Sequence, residues 1–111
     1  LPLYTLQTVV NGMLTNTTYT LNITGSAASS VNVKYSTSSN GPWTDFGGTA
    51  NYVAEDGNGT PSSPESGDQL TLTGTIGAYT LSGTCTYEAG DGYVRGGGIA
   101  GDEADWAASG N

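Results

Sequence analysis

The side chains able to do chemistry in this chain are carboxylates, and they are almost unaccompanied: ten Asp and Glu stand against two basic residues and no histidine. Two clusters have metal-ligand character. Glu55-Asp56 followed by Asn58 could hold calcium with backbone carbonyls of a glycine-rich loop, and Asp102, Glu103 and Asp105 form a second acidic group beside Trp106. Neither has the longer ligand series of an EF-hand loop, so both are weak calcium candidates, and no cofactor is otherwise expected. Paired carboxylates can also hydrolyse a glycoside. Glu55, Glu65, Glu88 and Glu103 all fall in expected turns or tail, where no rigid strand preorganises a pair. Without histidine, a serine-nucleophile motif or a Gly-Lys phosphate cradle, the chain is not expected to be an enzyme. Cys85 stands alone and shares parity with Leu81 and Tyr87, the position of a small buried hydrophobe rather than a nucleophile.

The net charge of -8 excludes nucleic acid, whose binders neutralise phosphates with Lys or Arg, and disfavours an anionic membrane surface. No apolar run approaches the roughly 18 residues needed to span a bilayer, so direct membrane insertion is not expected. Three acceptor sequons begin at Asn16, Asn22 and Asn58. Together with a first residue that is Leu1 rather than Met, they point to a processed, glycan-bearing protein that is extracellular or on the cell surface. Trp43, Phe46, Tyr52, Tyr93 and Trp106 could supply an aromatic platform for stacking on sugars, although a small β-domain needs such residues for its core.

These residues must be positioned by strands and turns. Of 111 residues 18 are Gly, and Thr and Ser are abundant, a mixture that suits pleated surfaces and tight turns far better than helices. The clearest elements are a pair of alternating runs. Tyr19, Leu21 and Ile23 share one parity in the first, and Val31, Val33 and Tyr35 share one in the second, across the break at residues 25–29. They predict two adjacent half-buried antiparallel strands. Further strands are expected over 3–10, 43–46, 49–54, 69–74, 78–87 and 93–95. Dry parity switches from even (Leu70, Leu72) to odd (Tyr79, Leu81), so a tight turn or a bulge near Ile76-Gly77 must absorb one residue. Residues 55–68 form a loop unusually long for a small sandwich, either a contact feature or a tolerated insertion. Residues 101–111 read as a polar tail, with one helical turn favoured around Asp102 to Ala108 by its alanines.

Seven to eight short strands in a single domain spanning 1–111 predict an all-β sandwich, with a jelly roll as the alternative. The phrase Val-Lys-Tyr-Ser-Thr-Ser-Ser-Asn-Gly-Pro-Trp-Thr-Asp-Phe, residues 33–46, resembles the hairpin of fibronectin type III and related immunoglobulin-like extracellular modules. In those a strand ending in Tyr-Ser leads through a Gly-containing turn to a Trp-bearing strand. The resemblance implies an immunoglobulin-like β-sandwich and transfers no binding residues.

The segment 1–10 carries apolar groups on both faces, with Leu1, Leu3, Leu6, Val9 and Val10 among them. A strand of that kind lies between two layers of its own domain or completes the sheet of a neighbour. The expected role is therefore a structural subunit of an extracellular filament, pilus or surface layer. Identical subunits would join head to tail by β-strand complementation, with 1–10 as the donated strand. A carbohydrate-binding or adhesion module, with glycans as partners, and a viral decoration or tail domain are the alternatives.

Overall fold

Alternation of apolar and polar side chains decides this fold, and the strands follow it closely. The computed structural model describes residues 3–10, 13–95 and 104–110, with side chains defined for most of 3–94. The described residues form nine strands: β1 (Leu3–Val10), β2 (Met13–Thr24), β3 (Asn32–Ser36), β4 (Thr44–Asp45), β5 (Gly47–Val53), β6 (Gln69–Ile76), β7 (Tyr79–Glu88), β8 (Gly92–Arg95) and β9 (Ala104–Gly110). A short 3-10 turn over Ala28–Ser30 precedes β3.

The strands form one ladder in the order β4-β3-β2-β1-β9-β8-β7-β6-β5. Each of the two four-stranded halves, β1 to β4 and β5 to β8, is an antiparallel meander in which every strand pairs with its neighbour in sequence. A Greek-key crossover, the wiring of immunoglobulin-like sandwiches, does not occur among the described strands. The hairpin expected over 33–46 is present, with Lys34 opposite Asp45 and Tyr35 opposite Thr44. Its turn contains a cis Gly41-Pro42 peptide and Gly41 at φ 85.

Two junctions join the halves. At one end the chain passes from β4 to β5 through the single residue Phe46, whose amide donates to the Val33 carbonyl at 3.0 Å. At the other, β9 lies between β1 and β8. It pairs antiparallel with β1 from Tyr4↔Gly110 to Val10↔Ala104, and with β8 at Gly92↔Ser109 and Tyr93↔Ala108. The alanines of 104–108 were expected to favour a helical turn, and β9 overturns that. The intrinsic preference of Ala is worth only about 0.7 kcal/mol per residue over ordinary residues, and two adjacent strand edges supply backbone partners instead.

One core serves both halves. Tyr4, Leu6, Leu21, Ile23 and Val33 meet Tyr52, Leu70, Leu72, Ile76, Leu81, Cys85, Tyr87 and Tyr93. The change of parity between β6 and β7 is absorbed by the turn Gly77-Ala78, with Ile76 opposite Tyr79 and Gly77 at φ 57. A side chain at Gly77 would strike the Tyr19 hydroxyl, so both conformation and space restrict that position to glycine.

Candidate functional site

The long loop is organised by one buried carboxylate. Asp68 is fully buried, and its Oδ2 accepts from the Tyr52 hydroxyl at 2.5 Å and from the Glu65 amide at 3.1 Å. Its Oδ1 accepts from the Glu55 amide at 3.0 Å. Asp68 also joins the loop to the end of β7 through its backbone, because the Tyr87 amide donates to the Asp68 carbonyl at 2.7 Å. Nearby, the Gly67 amide donates to the Tyr87 carbonyl at 2.9 Å. Two glycines make room for this arrangement: a Cβ on Gly59 would collide with the Asp68 carboxylate, and one on Gly67 with that of Glu55. At its far side the loop is clasped to the end of β2, where the Gly25 amide donates to Ser62 Oγ at 2.8 Å and the Ser62 amide to the Gly25 carbonyl at 3.0 Å. These bonds tie the loop to β5, to β7 and to the end of β2.

The first calcium candidate lies in the loop itself. Asp56 and Asn58 are exposed, and the Asp56 carboxylate accepts the Asn58 amide at 2.9 Å. That bond holds the Asp56 carboxyl below the usual range, while a hydrogen bond to Asp56 raises the Glu65 carboxyl. Among the described residues no three Asp, Glu, His or Cys side chains form a metal-binding group. Asp102 and Glu103 lie outside the described residues, and Asp105 falls in β9 opposite Val9.

Of the candidate platform aromatics, the side chain of Trp106 lies outside the described residues. Tyr52 and Tyr93 are in the core, and Trp43 and Phe46 are half-buried. Tyr4, Tyr93 and Tyr87 form a run of edge-to-face contacts, with centroids 5.1 Å and 5.3 Å apart. Burial raises the Tyr4 phenol to about 12, with the nearby Tyr87 adding to the effect. It pushes the Tyr52 and Tyr93 phenols higher still. This tyrosine cluster ties β1 to β7 and β8, and no sequence signal marked it beyond the parity of its members.

Among the described residues, one concavity lies between β3-β4 and β5. It encloses about 230 Å³ and is lined by Val31, Asn32, Val33, Asp45, Phe46, Gly48 and Ala50. Its one carboxylate, Asp45, is 3.9 Å from Lys34 Nζ, and both side chains are exposed.

Of the sequons, Asn58 is exposed in the loop. Asn22 sits within β2, half-buried and paired with Leu3 and Lys34, its amide oxygen enclosed without a hydrogen-bond partner. The backbone of Asn16 lies in β2. Of the apolar residues of 1–10, Leu6 is fully buried and Leu3 half-buried; Val9 and Val10 pair with β2 and β9, and Leu1 lies outside the described residues.

Comparison with protein-family models, with characterised proteins and with solved structures found no match. Among the described residues no helix is long and apolar enough to cross a membrane.

Proposed function

We propose that this protein is a structural subunit of an extracellular filament, pilus or surface layer, assembled from identical copies by β-strand complementation. In this reading its two meanders pack as a sandwich, with the layers of an immunoglobulin-like module but a different strand order. The observation that carries it is the position of β9. The first eight strands pair within their own meanders, whereas the middle of the ladder is filled by β9, which pairs with its sequence neighbour β8 on one side and with β1, far upstream in the chain, on the other. A sheet completed in that way is the physical basis of strand complementation, since backbone hydrogen bonds supply the contact whichever copy provides the strand. The acidic surface and the exposed sequon at Asn58 agree with an exported, glycan-bearing subunit.

Negative-stain imaging and light scattering of the full chain over a range of concentrations test this reading. Regular polymers are the expected result. A monomer at every concentration that is retained on a polysaccharide column would replace it with a binding module. Intact mass of native material reports on Asn16, Asn22 and Asn58; a mass matching the bare polypeptide removes the glycan part alone.

A further inference from the structure

Two strands could in principle be exchanged between copies, β1 and β9, and their connections differ. β1 leads into β2 through residues 11–12 only, and its register with β2 runs from Leu3↔Asn22 to Val10↔Met13. It also contributes Tyr4 and Leu6 to the core, so β1 cannot leave without dismantling a hairpin and the centre of its own half. β9 is joined to β8 by residues 96–103, which include Gly96, Gly97, Gly98 and Gly101. Eight residues reach at most about 27 Å when extended. That exceeds the shortest dimension of the molecule, 24 Å, whereas the two residues between β1 and β2 hold that pair as a hairpin.

The slot is well defined without β9. β1 on one side and β8 on the other each keep a second partner, β2 and β7 respectively, and each brings buried tyrosine, Tyr4 and Tyr93, to the seam. The strand that fills it is made of Ala, Asp, Trp, Ala, Ala, Ser and Gly. Small residues at five of seven positions suit insertion between two strands, and the backbone register sets Trp106 opposite Thr8.

Resting on the assembly reading above, we infer that the slot between β1 and β8 is the acceptor for Ala104–Gly110 of a second copy of this chain. The self-filled arrangement is then the closed form of the same contact. Each copy carries one slot and one strand, so the contact is heterologous and continues head to tail.

Cysteine pairing across the register tests it. Thr5 is exposed and is the cross-strand partner of Ser109, and the native Cys85 is fully buried and does not compete. Directly opposed positions bring Cβ atoms within about 5.5 Å, close enough for a disulfide after small adjustment. Full-length T5C and S109C chains are refolded together, oxidised and separated without reductant. The expected result is a linked heterodimer, and from the T5C/S109C double variant a ladder of linked multimers. If the double variant links only within itself while the unsubstituted chain forms regular polymers, this inference is overturned and the assembly reading stands. A chain that is monomeric at every concentration overturns both. Should cysteine at 5 or 109 prevent folding, the register pair Gln7 and Ala107 carries the same test with the same outcomes.

Discussion

Replacing Asp68 with Ala removes the acceptor for three donors at once: the Tyr52 hydroxyl and the amides of Glu55 and Glu65. Glu55 and Glu65 are exposed residues whose amides can recover water, whereas Tyr52 is 4% exposed and its hydroxyl is left enclosed. An orphaned buried donor costs about 1–3 kcal/mol, and hydrogen bonds to a charged group contribute about 1.5–3 kcal/mol each. With one donor fully orphaned and two partly rehydrated, D68A is expected to lose about 3–5 kcal/mol, a large share of the stability of a domain this size. D68N keeps the shape but can offer its oxygen at only one of the two carboxylate positions. Its NH2 group then faces an amide donor, and a loss of about 1–3 kcal/mol follows. Y52F removes one bond and leaves Asp68 with two donors, for about 1–2 kcal/mol. Urea unfolding of the three single variants and of D68A/Y52F measures these. The double variant should be less destabilised than the sum of D68A and Y52F, because both single changes break the same bond. Additive losses, or a D68A midpoint equal to the parent, would refute the role of Asp68 as the anchor of the loop.

Alkaline pH should unfold the protein through its buried phenols. Tyr4 ionises near 10.0 when unfolded and at about 12 when folded, and Tyr52 and Tyr93 are raised further. Above pH 10 the native state therefore holds more protons than the unfolded chain. Stability present below pH 10 is lost as pH rises, by up to about 1.4 kcal/mol per unit for each tyrosine; a Y4F variant with an unchanged alkaline midpoint would contradict this. Gly48 and Gly74 face each other across β5 and β6, and a Cβ on Gly48 would meet the Thr73 carbonyl and come 2.6 Å from the Gly74 Cα. G48A is expected to cost about 1–3 kcal/mol and to speed hydrogen exchange of β5 amides, and wild-type exchange in that strand would refute the close approach. Lys34 and Asp45 are 52% and 87% exposed. K34A should change the unfolding midpoint by no more than about 0.5 kcal/mol, with little dependence on salt.

Most of the first eight strands were legible because they bury one face, while β4, exposed at both residues, was marked by the turn before it. Leu21 and Ile23, Leu70 and Leu72, and Leu81 and Cys85 fall inside at the alternation their sequence predicts. β9 was not legible for the opposite reason. Ala-Asp-Trp-Ala-Ala-Ser-Gly has only one large apolar residue, and its strand conformation comes from two edges more than eighty residues upstream or across a glycine-rich connection. The loop anchor was hidden too, since Asp68 looks like any other turn residue until Tyr52, Glu55 and Glu65 converge on it. Strand order lies beyond pattern reading altogether: period-two burial says which face is dry and nothing about which edge meets which.

The position of β9 also bears on synthesis. The centre of the sheet is made after both flanks, and the pairing Tyr4↔Gly110 joins residues at opposite ends of the described chain. Contacts so distant in sequence form slowly, and chains waiting for them expose unpaired inner edges to one another. A nascent protein of this design therefore spends its early life as an incomplete sheet. Whatever first occupies the gap, its own later residues, a holdase or a sister chain, settles its fate.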